Sequence, residues 1–234
     1  LQVGGSDQWG NIVLGADLIR RKLGQTAHAL TWPLLTKPDG SKYGKTAGGE
    51  TIWLNSEKMS PYRFYQAWIS VDDSEVRKLL LQLTFLSPEE IDDLVTEHDQ
   101  HPENRLGQRT LAKELTTIVH GEQAAASAAE ASDLLFDPSA DISAVSQSAL
   151  EFISGEVPST QTQTIQMGII DCLVETGLCQ SRKDAKRAIT EGGIYVNGER
   201  VNEADSSLTA DHLLHGKYIL LRRGKKLWHL LTSG

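Results

Sequence analysis

The stretch Lys42-Tyr43-Gly44-Lys45-Thr46 sets two ammonium groups three residues apart on a short polar loop. Its flanks, Thr36-Lys37-Pro38-Asp39-Gly40-Ser41 and Ala47-Gly48-Gly49-Glu50, are rich in turn residues and poor in helix or strand formers. The loop is therefore expected to face solvent between two apolar runs. Two cations on flexible stems in such a place suit an anion. Gly44-Lys45-Thr46 imitates the end of a phosphate-binding P-loop, but the motif needs a glycine five positions before Gly44, where Asp39 stands. Lys58-Met59-Ser60 is a second imitation, of a lysine-rich catalytic loop, but it carries one lysine and runs into Pro61.

A second group with chemical capacity is Gly4-Gly5-Ser6-Asp7-Gln8-Trp9-Gly10-Asn11. Leu1-Gln2-Val3 reads as the end of a strand delivered into a glycine turn. A helix is expected from about Asp7 to Leu23, because Trp9, Ile12, Val13, Ala16, Ile19 and Leu23 recur at helical spacing and Gly24 is a natural stop. A strand, a glycine turn and a helix N-terminus form the ligand-facing corner of α/β sheets. At that corner Gly5 permits close backbone approach, Asp7 offers a carboxylate to hydroxyls such as those of a ribose, and Gln2 and Gln8 offer amide donors and acceptors. The residues alone equally allow a plain reading, with Ser6 or Asp7 capping the helix and the glutamines solvated.

Taken together, the corner and the Lys-Tyr-Gly-Lys-Thr loop resemble the bacterial-type tyrosyl-tRNA synthetases, whose KMSKS signature commonly takes the form KFGKT or KFGKS. The resemblance implies that Gln2 and Gln8 line a tyrosine site and that Gly5 and Asp7 contact the ribose. It further implies that Lys42, Lys45 and Thr46 act catalytically by holding ATP phosphates as charge develops on pyrophosphate, with Lys45 foremost. ATP would be a substrate accompanied by Mg2+, with no protein-bound metal. Tyrosine and tRNA(Tyr) would be the other partners, and the intact enzyme a homodimer.

The elements that position these groups are an α/β part of a class I nucleotide-binding fold over residues 1–60, then an all-α bundle over 61–153 that the resemblance assigns to the anticodon arm. A linker is expected over 154–164 and a small α+β RNA-binding module over 165–234. Ala29 to Leu35 reads as a second strand, with Pro33 marking an edge or irregularity. Ser60-Pro61 opens the helical block, Ser87-Pro88-Glu89-Glu90 is a capping box, and Gln123 to Leu135 is an alanine-rich helix. His98, His101 and His120 read as surface or capping histidines. Ser154 to Thr164 lacks apolar periodicity, hence its reading as linker.

Beyond it, helices are expected to end near Gly177 and to start at Ser181. Asn197-Gly198 marks a tight hairpin, and a strand over Lys217 to Leu221 leads into Arg222-Arg223-Gly224-Lys225-Lys226. Ser181-Arg182-Lys183-Asp184-Ala185-Lys186-Arg187 followed by Gly193-Ile194-Tyr195-Val196-Asn197-Gly198 resembles the module shared by a small-subunit ribosomal protein, pseudouridine synthases and tyrosyl-tRNA synthetases. It implies tRNA contacts at Arg182, Lys183, Lys186, Arg187, Arg222, Arg223, Lys225 and Lys226, made to phosphates.

Charge agrees with this division. The chain carries a formal −8, yet residues 181–234 hold ten Lys/Arg against six Asp/Glu. The acidic remainder is a poor polyanion surface and the tail a good one. Cys172 and Cys179 lack Cys/His partners at metal spacing and read as reduced thiols. No apolar run reaches membrane-spanning length and no signal peptide is evident, so a cytoplasmic enzyme is expected, an organellar one being the other option. No His-x-Gly-His pattern occurs in the 234 residues, so the expectation is a C-terminal portion of a tyrosine-activating ligase, inactive in adenylate formation by itself. The rival reading is a non-catalytic RNA-binding protein that uses only the basic module.

Overall fold

A computed structural model describes residues 1–36, 51–137, 140–162 and 166–234. The chain divides into two compact units, Leu1–Ile52 and Trp53–Gly234.

In the first unit, β1 (Gln2–Gly5) and β2 (Ala29–Trp32) pair in parallel, Gln2 opposite Ala29 and Gly5 opposite Trp32. They are joined through α1 (Trp9–Leu23), a βαβ arrangement. The helix expected from Asp7 starts at Trp9, because Ser6–Gln8 forms a turn of 3-10 helix first. Gly24 closes it at φ +63°, and its N–H donates to the Arg20 carbonyl. The second strand stops at Trp32 rather than Leu35, since Pro33 has no N–H for the ladder.

The second unit opens with six helices: α2 (Pro61–Ile69), α3 (Asp73–Leu83), α4 (Pro88–Gln100), α5 (Leu106–His120), α6 (Glu122–Phe136) and α7 (Gln147–Glu156). Serine side chains cap three of them: Ser60 accepts from Arg63 N, Ser87 from Glu90 N and Ser146 from Ala149 N. Each such cap is worth about 1 kcal/mol. At Ser87 the expected capping box is complete, with the Glu90 carboxylate returning to the Ser87 N–H at 2.7 Å. Helix α5 lies at the centre, packed against α2, α3, α4 and α6. Ala125, Ala128 and Ala131 are fully buried on α6, small enough for the helices to approach closely.

The remaining elements are β3 (Ser159–Thr162), β4 (Met167–Gly168), α8 (Ile169–Glu175), α9 (Arg182–Thr190), β5 (Ile194–Val196), β6 (Glu199–Arg200), β7 (Ser207–Leu208), β8 (Tyr218–Arg223) and β9 (Leu227–Ser233). Five strands form one sheet in the order β3-β9-β8-β5-β6, with β4 and β7 paired separately. Asn197 at φ +47° and Gly198 at φ +84° make the expected two-residue turn between β5 and β6. One face of the sheet joins α8 and α9 in a core that includes Leu173, Ala185, Ile189, Ile194, Ile219 and Leu221. Alternate residues Tyr218, Leu220 and Leu230 are buried on the other face. There the bundle side reaches the module: Ile142 abuts Gly198, and the His215 ring lies 2.6 Å from the Val145 carbonyl oxygen.

Two expectations are corrected. Residues 154–164 are not a linker through their described length, because α7 extends to Glu156 and Ser159–Thr162 is a strand parallel to β9, Ser159 opposite Leu230. The histidines are not all superficial. His98 is 1% exposed and lies 3.4 Å from the Asp73 carboxylate, and His120 packs edge-on against Phe64 at 5.1 Å. No helix among the described residues is long and apolar enough to cross a membrane.

Candidate functional site

The first unit presents its chemistry where β1 turns into α1. Gly5 is closely approached by two side chains, which would have to move to admit a larger residue. A methyl group there would meet Leu34 Cδ2 at 2.5 Å and the Asp7 carboxylate at 2.8 Å. The Asp7 carboxylate is thus seated over the backbone at the end of β1. Gln8 follows in the same 3-10 turn, its Oε1 accepting from Asn11 Nδ2 at 3.1 Å. The Gln2 amide oxygen lies against Gly15 on α1. Gln2, Asp7 and Gln8 are exposed and Gly5 half-buried. The corner thus brings one carboxylate and two carboxamides to β1 and the turn that follows it. Lys42, Lys45 and Thr46 lie outside the described residues. The imitation loop has a structural use: Lys58 stands over the Trp53 ring at 4.1 Å, Met59 is buried and Ser60 caps α2.

The second chemical surface is the cationic edge of the module, and here the eight residues singled out from sequence fall into two classes. Lys183 and Lys186 on α9, and Lys225 and Lys226 in the β8–β9 turn, are exposed and make no ion pair among the described residues. The arginines are engaged. Arg182 pairs with Asp171, and Arg187 with Asp184 at 3.0 Å. Arg223, with its side chain 26% exposed, grips both oxygens of Asp184 at 2.8 and 2.9 Å and donates to the Leu178 carbonyl at 2.7 Å. Arg222 is stacked over Tyr195 at 4.2 Å and lies 5.1 Å from the Trp228 ring. These three residues stand opposite one another on β5, β8 and β9, so the register alone brings them together.

Asp184 is the residue that sequence reasoning passed over. Its signal was present in Ser181-Arg182-Lys183-Asp184, a helix-opening pattern with an acid in the first turn. Ser181 caps α9 by accepting from Asp184 N at 3.2 Å, while Asp184 itself accepts from Gln180 N. The Arg223 guanidinium, then the Gln180 N–H, hold its carboxyl below the usual carboxylate range. Cys172 and Cys179 are free and buried, and burial pushes the Cys172 thiol up to about 12. Among the described residues no group of three or more His, Cys, Asp or Glu could hold a metal ion.

Comparison with known proteins bears on both surfaces. A family model described as tRNA synthetases class I (W and Y) matches residues 1–137, and one described as the tyrosine–tRNA ligase SYY-like C-terminal domain matches residues 149–231. The tyrosine–tRNA ligase of Geobacillus stearothermophilus is 47% identical over 232 residues, covering 99% of this chain and 55% of the relative. That of Opitutus terrae is 45% identical over 233 residues, covering 97% and 54%. A solved C-terminally truncated mitochondrial tyrosyl-tRNA synthetase of Aspergillus nidulans overlays 58% of this chain and 39% of its own, at 29% identity and a TM-score of 0.49. The chain spans about half the length of the curated relatives it matches. With a synthetase model over its first 137 residues and a ligase C-terminal model over the module, the chain belongs to the class I tRNA synthetases of the tryptophan and tyrosine branch.

Proposed function

We propose that this chain is part of a tyrosine–tRNA ligase, which joins tyrosine to ATP as an adenylate and passes it to tRNA(Tyr). In this reading Gln2 and Gln8 contact tyrosine, and Gly5 and Asp7 the ribose. Lys42, Lys45 and Thr46 neutralise the phosphates of ATP, whose Mg2+ is carried by the nucleotide. Residues 1–60, 61–153 and 165–234 serve as catalytic part, anticodon-arm bundle and RNA-binding module of a cytoplasmic, homodimeric enzyme. The observation that carries the reading furthest is the exposure of four lysines, unpaired among the described residues, on a module whose arginines are held by its own acids and aromatic rings. A surface of that kind positions a phosphate backbone without reading bases.

Filter binding of tRNA to the chain over a range of salt concentrations tests it. Binding that weakens steeply as salt rises supports the reading, and a flat response defeats it. Tyrosine charging by the protein that contains this chain, with Asp7→Asn, separates the ligase from a purely RNA-binding protein. Charging that falls while tRNA affinity holds favours the ligase. A wild-type protein that binds tRNA and never charges it favours the rival.

A further inference from the structure

We infer that Asp184 is a positioning residue for the RNA-facing surface: it fixes the two lysine pairs relative to each other. This rests on the RNA-binding reading of the module. Lys183 and Lys186 ride on α9, whereas Lys225 and Lys226 sit in the turn between β8 and β9, and among the described residues none of the four makes an ion pair that would hold the two pairs in register. Beyond the shared apolar core, the side-chain connection between the two elements centres on one carboxylate. Asp184, in the first turn of α9, receives both terminal nitrogens of Arg223, the last residue of β8, at 2.8 and 2.9 Å. The same arginine reaches the Leu178 carbonyl in the loop before α9 at 2.7 Å. One residue on, the Gly224 N–H donates to the Gly193 carbonyl at 2.7 Å, tying the turn to the end of α9 as well.

The acceptor capacity of Asp184 is filled. Its two oxygens take two bonds from Arg223, one from Arg187 at 3.0 Å and one from the Gln180 N–H at 3.2 Å. The side chain is 15% exposed. A carboxylate beside four phosphate-binding cations opposes polyanion binding by its charge alone. Its presence there makes sense if geometry outweighs that penalty, because a bidentate guanidinium pair fixes direction as well as distance.

The two effects predict opposite signs, which makes the inference testable in the full chain. Asp184→Asn keeps the shape and removes the negative charge. By charge alone tRNA binding should tighten. By positioning it should weaken, because the hairpin lysines no longer engage together with those of α9. Losing two of four phosphate contacts lowers the slope of log affinity against log salt by about 2, and affinity at 100 mM salt by about tenfold or more. Asp184→Glu should recover part of both, a response that simple loss of stability would not give in the slope. Arg223→Lys leaves net charge unchanged and removes the fork, so it should weaken binding in the same way and serves if Asp184→Asn fails to fold. Hydrogen exchange at the Gly224 amide should speed up in Asp184→Asn and in Arg223→Lys.

Unchanged or tighter binding by the folded variants, with wild type binding in a salt-dependent manner, overturns the inference while leaving the RNA-binding reading intact. A wild-type chain with no salt-dependent binding overturns both.

Discussion

Replacing Lys183, Lys186, Lys225 and Lys226 together by glutamine should remove most of the salt sensitivity of tRNA binding while leaving the fold unaltered. None of the four is buried or paired with an acid among the described residues, so their loss leaves no carboxylate stranded. Each phosphate contact contributes about 0.9 to the slope of log affinity against log salt on duplex and about 0.7 on single strands. Four contacts therefore supply a slope of about 3 to 4. Between 50 and 200 mM salt, a fourfold change, that corresponds to roughly a hundredfold loss of affinity in the wild type that the quadruple variant should no longer show.

Filter binding of labelled tRNA at five or six salt concentrations reads the slope directly. Circular dichroism confirms that the variant is folded. Arg182→Gln gives the contrast, because that guanidinium is already occupied by Asp171 and its loss should move the slope less than a single lysine does. A quadruple variant whose slope stays within about one unit of wild type would refute the assignment of the free lysines as the phosphate contacts.

Acid should loosen the bundle around His120 and the module around His229 before it touches the carboxylates. Burial holds the His229 and His120 imidazoles below their ordinary value of 6.5, so the unfolded chain binds protons more readily than the folded one. Stability is then lost as pH falls below about 6.5, levelling off beneath the folded values, and thermal melts between pH 7.5 and 5.5 should record it. His229→Gln should reduce that dependence, leaving the part due to His120, because a glutamine amide can still reach the Thr160 hydroxyl that lies 2.9 Å from the imidazole Nε2. Gly192→Ala should destabilise by roughly 1–2 kcal/mol in urea titration. Its φ of +72° is the main penalty, because the atom that a methyl would strike at 1.6 Å is the end of the flexible Arg200 side chain, which can swing away. Cys172, with its thiol pushed up to about 12, should resist alkylation at pH 8 until denaturant exposes it.

Much of this structure was legible in local chemistry. Ser60-Pro61, Ser87 to Glu90, Ser181 and Asn197-Gly198 each carry their own instruction, because a hydroxyl that reaches an N–H two or three residues on, or a left-handed pair of residues, needs no distant partner. What escaped the sequence depends on neighbours far along the chain. Ser159-Thr160-Gln161-Thr162 has no apolar alternation and becomes a strand only because β9 lies beside it. His98 is buried by helices that its flanking residues do not specify, with Gly107 of α5 close against its ring. At the candidate sites residue types were readable and their division of labour was not. Nothing in Arg222-Arg223-Gly224-Lys225-Lys226 tells that the first cation is stacked on aromatic rings, the second clamped by a carboxylate, and the last two left to solvent.

The parallel pairing of β3 with β9 also sets a timetable. During synthesis Ser159–Thr162 leaves the ribosome some seventy residues ahead of the segment it will bond to, and every other strand of the sheet is made in the interval. An apolar ribbon waiting that long would be an invitation to aggregate. Serine, threonine and glutamine remain content in water, so a composition that hides the strand from a reader of the sequence also keeps it harmless until its place in the sheet exists.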